Sequence, residues 1–102
     1  MIVVTSNEIS QKNILEYHGI AKGVVVRQPT IKQGFKGAFT LGGKNDAYTE
    51  ACEQTRQQAY DMMVEDAKKL GANAVIGMRF DASEFMQDST EVIAYGTAIT
   101  IE

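Results

Sequence analysis

Cys52 and His18 are the side chains in this 102-residue sequence best suited to a soft metal ion, and each residue type occurs once. A closed zinc site needs about four thiolate, imidazole or carboxylate ligands, and soft metals prefer sulfur and nitrogen. One chain therefore cannot complete such a site from these two residues. Met62 is no help to Cys52: ten residues apart on one helix is roughly 15 Å at ~1.5 Å per residue. Cys52 also falls on an apolar helical stripe, where a cysteine serves as a small hydrophobe. His18 begins a strand and reads as an exposed or locally satisfied side chain, because a site requires partner ligands. Met62-Met63 reads as helix core rather than a copper-binding pair.

Oxygen chemistry is no better supported. Asp81, Glu84, Asp88 and Glu91 gather in one stretch and could face a hard cation, but their spacing is not that of an EF-hand loop and its central glycine is missing. A solvated hairpin connection over 81–89 is the expectation. The glycines between 34 and 43 lack the GxxxxGK[ST] order of a phosphate cradle. There is no HExxH, no nucleophile elbow and no Ser/His/Asp order. His18 and Tyr95 have acid–base side chains, yet nothing in the sequence joins them. No catalytic residue is assigned, and an enzyme is not expected.

The elements that position these residues centre on 46–80. Apolar residues Tyr48, Ala51, Cys52, Thr55, Ala59, Met62, Met63, Ala67 and Leu70 step by three and four, predicting one amphipathic helix of about 24 residues, roughly 36 Å long. Asn45 or Asp46 suits its N-cap, Glu50, Glu53 and Lys68-Lys69 oppose the helix dipole, and Gly71 suits a left-handed stop. A strand over 74–80 follows, with Ala74, Ile76, Met78 and Phe80 sharing a face. A second strand of clear period two spans 91–101. Upstream, residues 17–28 alternate as a long strand, with His18, Ile20, Lys22, Val24 and Val26 on one face and Gly19, Ala21 and Gly23 on the other. Residues 2–5 suggest a short edge strand. Ile31, Phe35 and Phe39 fit a short helix over 31–41, which Gly34 and Gly37 weaken.

The order is strand–helix–strand–strand: one α+β domain over 1–102, with a helix on one face of a mostly antiparallel sheet. Hydrophobic content of 44%, charged content of 23% and a net charge of −3 suit an ordinary soluble domain and suggest neither a nucleic-acid nor a membrane partner. A single cysteine excludes an intramolecular disulfide and suits a reducing compartment. With no secretory leader pattern at Met1, the cytoplasm is expected. One helix covers one sheet face only. Ile93, Tyr95, Ile99 and Ile101 would leave the other face apolar, which predicts a homo-oligomer closed by symmetry.

The run Lys69-Leu-Gly-Ala-Asn-Ala-Val-Ile-Gly-Met78, the helix before it and Tyr95-Gly-Thr-Ala98 after it resemble the YbjQ family. Gly42-Gly43 and the glycines of the first long strand match as well, so the resemblance spans nearly the whole chain. These are small bacterial and archaeal proteins, mostly uncharacterised, that carry a heavy-metal-binding label. The resemblance implies a dodecin-like β-α-β-β subunit, assembled as a ring-shaped homopentamer with short extra strands tying neighbours together. It implies binding of a heavy metal or small ligand at subunit interfaces, the alternative being a ring scaffold that binds nothing. Two departures stand out. The Asp-Tyr-Glu run frequent in the family is here Asp81-Ala82-Ser83-Glu84, without the tyrosine, and IKQGFKGAFTLGG replaces a charged, glycine-poor first helix. No motif carries the metal label, so no ligand residue or cofactor is transferred from it.

Overall fold

The computed structural model describes residues 1–27, 44–86 and 89–102. They form β1 (Ile2–Val3), β2 (Ile14–Arg27), α1 (Lys44–Lys69), β3 (Ala74–Met86) and β4 (Ser89–Ile101). The expected helix over 31–41 lies outside the described residues. The strands make one sheet in the order β1-β3-β4-β2, with β1 parallel to β3 and the other two pairings antiparallel.

The helix sits on the small face of the sheet. Its buried ridge is Thr55, Ala59, Met63 and Ala67, a single i,i+4 row. Beneath it Ala21, Ala94 and Ala98 are fully buried. The stripe is narrower than the sequence suggests, for Met62 and Leu70 are exposed. The helix also begins at Lys44, so Asn45 and Asp46 lie inside it rather than at its cap.

The stop at its other end is as expected. Gly71 has φ +93°. Its N–H donates to the Lys68 carbonyl at 3.0 Å, and the Ala72 N–H to the Ala67 carbonyl at 3.0 Å, which is the paired Schellman closure. Asn73 then fastens the start of β3 to the end of β4. Its Nδ2 donates to the Ile101 carbonyl at 3.0 Å, and its Oδ1 accepts from the Ile101 N–H at 2.8 Å. Asn73→Ala loses both, and we expect a cost of about 1–2 kcal/mol by urea denaturation.

Of four register slips among the described strands, two that contain a left-handed glycine change the face of residues singled out above. In β2 the register slips between Tyr17 and Gly19, and in β3 between Ile76 and Arg79. Gly19 (φ +99°) and Gly77 (φ +62°) take the left-handed backbone there, which costs glycine little. One extra residue reverses the alternation. His18 therefore turns to the helix side, while Tyr17 pairs with Ile99 on the opposite face. Likewise Ala74 and Ile76 belong to a cluster on the opposite face, whereas Met78 joins the helix-side core. The expected common face of Ala74, Ile76, Met78 and Phe80 is thus split at Gly77.

The face away from the helix is half covered by the chain itself. Val4, Ile9 and Ile14 pack on Ala74, Ile76 and Ile99, and Ile101 borders them. Ile99 is fully buried, contrary to the expectation of an open apolar face there. What remains exposed is a stripe on β2: Tyr17, Ile20, Val24 and Val26, with Tyr95 beside it.

Candidate functional site

The expected hairpin connection over 81–89 is mostly strand, since β3 runs to Met86 and β4 starts at Ser89. That change disperses the carboxylates. Asp81 pairs with Ile93 and Ser83 with Glu91, which puts Asp81 and Glu91 on one face. Glu84 pairs with Thr90 on the other face, and Asp88 is outside the described residues. Among the described residues no three His, Cys, Asp or Glu side chains group as metal ligands.

His18 and Cys52 are held apart. The His18 ring packs at the helix stop, with Nε2 2.6 Å from Thr100 Oγ1 and Nδ1 4.0 Å from a Glu16 carboxylate oxygen. Thr100 Oγ1 also donates to the Gly71 carbonyl at 3.3 Å, which ties the ring to the helix stop. Cys52 lies near the other end of α1, nineteen residues before Gly71 and roughly 28 Å away at ~1.5 Å per residue. Tyr95 is on the far face of the sheet and meets neither. His18 is a locally satisfied side chain, and no acid–base pair forms with Tyr95.

Cys52 is not simply packed away. It is half-buried at a cleft of about 340 Å³ between the first half of α1 and the ends of the strands. Arg27, Thr55 and Arg56 share that cleft, over an apolar floor that includes Phe80 and Val92. Arg27 Nη1 donates to the Cys52 sulfur at 3.5 Å. A cationic guanidinium on the thiol opposes a metal cation there, so the residues of one chain do not fit a heavy-metal centre at Cys52. Sequence reading missed Arg27 because its partner is 25 positions away. No local spacing marks such a pair.

The sequence model of one family, described as "Putative heavy-metal-binding", matches residues 1–102. The chain belongs to the YbjQ family. Relatives named UPF0145 proteins include one from Legionella pneumophila, 47% identical over 103 residues with 99% of this chain and 98% of the relative covered. One from Francisella tularensis is 41% identical over 105 residues, covering 99% of each. Among solved structures, a DUF74-family protein of unknown function from Pediococcus pentosaceus superposes with a TM-score of 0.70 at 15% identity, covering 100% of this chain and 98% of that one. At that identity the likeness bears on the fold alone. The YbjQ-like segments are structural: Val75 pairs with Ala98 and Ile76 with Thr97, placing the GANAVIG and YGTA runs side by side. Their residues stop the helix, fasten the strands and fill the core.

Proposed function

We propose that this YbjQ-family protein is a cytoplasmic homopentamer of dodecin-like subunits that binds a heavy metal ion or small ligand where subunits meet. It is a binding protein rather than an enzyme, with neither nucleic acid nor membrane as partner. The observation that carries the reading is the apolar stripe Tyr17, Ile20, Val24 and Val26 along β2, where Tyr17 and Ile20 are 67% and 68% exposed. Exposed apolar side chains gathered on one face mark an association site, although Lys22, between Ile20 and Val24 on the same face, interrupts this one. Of the described helices, none is long and apolar enough to cross a membrane.

The β2 edge itself is guarded, since Asp66 Oδ2 accepts the Lys22 backbone N–H at 3.0 Å. A carboxylate there hinders strand addition at that point of the edge, and the subunits are expected to meet through the apolar face. The ligand belongs at a boundary because single-chain donors are scattered, and rotational symmetry multiplies any one donor by the number of subunits. The scaffold reading draws on the same dispersal of donors.

Native mass spectrometry of untagged protein, with zinc, copper and nickel added in turn, separates the two. An integer number of ions per ring is expected, and an empty ring unmoved by all three metals would leave only the scaffold. Cys52→Ala is expected to leave metal uptake unchanged, because its sulfur is engaged by Arg27.

A further inference from the structure

We infer that the cleft beside Cys52 binds a small molecule through a carboxylate or phosphate group, with Arg27 as the recognising fork and Phe80 and Val92 as the apolar wall. The site uses residues of one chain and does not depend on assembly.

The guanidinium groups near and beyond the cleft differ in what they hold. Arg56 pairs with Glu53 at 3.0 Å, and Arg79 Nη1 donates to the carbonyls of Thr5 at 2.9 Å and Met78 at 2.8 Å. Arg27 is half-buried, and its single hydrogen bond among the described residues goes to a sulfur, a weak acceptor. Among those residues no carboxylate lies within ion-pair distance of it. Asp81, which also lines the cleft, accepts from the Ala82 N–H at 2.9 Å and is not paired with Arg27. A guanidinium carries five donors in a planar fork that matches oxyanions, and a partly desolvated one without a counter-charge is costly. A bound oxyanion relieves that cost.

The remaining lining fits an organic ligand. About 340 Å³ is within the range of small-molecule pockets, and Phe80, 44% exposed, adds apolar surface to the same lining as Arg27. A cation is disfavoured by Arg27, and a fully apolar ligand would leave the guanidinium unanswered. Cys52 is the reporter of this site, within reach of the fork but not itself the binding group.

The test is the alkylation rate of Cys52 in the full-length protein by iodoacetate and by iodoacetamide, with the ratio compared to that of a blocked cysteine in solution. Anion recruitment is expected to raise the iodoacetate-to-iodoacetamide ratio about fivefold, the effect of a partly exposed charge-assisted hydrogen bond. Arg27→Gln is expected to return the ratio to that of the blocked cysteine. On the unmodified protein, benzoate should slow iodoacetamide labelling and benzamide should not. Inorganic phosphate protecting at lower concentration than benzoate would assign the oxyanion as phosphate; the reverse order would assign a carboxylate with an apolar body. A ratio equal to that of the blocked cysteine, a ratio unmoved by Arg27→Gln, or equal protection by benzamide and benzoate would overturn the proposal. Should Arg27→Gln fail to fold, the comparison of benzoate with benzamide decides.

Discussion

Gly23→Ala is expected to destabilise the protein by about 3 kcal/mol, the upper end of overpacking in a well-packed core. A Cβ at this position would sit 2.1 Å from the Ala59 carbonyl oxygen, 2.6 Å from the Met63 nitrogen and 2.7 Å from the Met62 Cβ. Two of those three atoms are helix backbone, which cannot swing aside as a flexible side chain can. The helix must lift, and lifting it loosens Ala59 and Met63 from Ala21 and Ala98 together. A domain this size has roughly 5–10 kcal/mol in hand, so Gly23→Val is expected not to fold. Gly19→Ala is the informative contrast. Nothing lies within 4 Å of a Cβ there, and its φ of +99° is the only obstacle. Its cost is expected near 1–2 kcal/mol, from backbone conformation alone. Urea midpoints of the two variants check both values, and a Gly23→Ala effect no larger than that of Gly19→Ala would disprove the close helix approach.

Ile20→Lys is expected to do the opposite, leaving the subunit folded and dispersing the assembly. Ile20 is 68% exposed in the single chain, so a lysine there meets water and costs the isolated subunit little. In a ring that buries Tyr17, Ile20, Val24 and Val26, the same lysine would add a desolvated charge beside the native Lys22 at every interface. That costs several kcal/mol per contact, enough to move dissociation from nanomolar toward micromolar concentrations or beyond. Circular dichroism should be unchanged while light scattering reports the chain mass. A variant that still assembles at low micromolar concentration would place the interface elsewhere.

The two effects mark how far the sequence could be read. The helix, its glycine stop and both long strands after it were legible from period and composition, because Ala59, Met63, Ala67 and Gly71 are local signals. The small sheet face was legible too, since Ala21, Gly23, Ala94, Gly96 and Ala98 recur every second residue. Faces failed where a bulge intervened. A strict alternation through Gly19 or Gly77 misplaces His18 and Met78, and the left-handed backbone at those glycines leaves no period to read. The cover over Ile99 was missed because Val4, Ile9 and Ile14 come from a segment with no regular repeat. The carboxylates near residue 84 looked like a polar loop, whereas paired strands carry Asp81 and Glu84 to opposite faces.

The candidate cleft was the least legible part. Cys52 was visible as a residue type, and its place on the apolar stripe suggested packing. Only the fold brings Arg27, from the last position of β2, against its sulfur. The family resemblance pointed to segments that build the core, so it located the architecture and not the chemistry.

Assembly through the β2 face can be read from the oligomeric mass of the untagged wild-type protein. Size-exclusion chromatography with light scattering at micromolar concentration is expected to give five times the 11.2 kDa chain mass. A single species at the chain mass, persisting as concentration is raised, would contradict it.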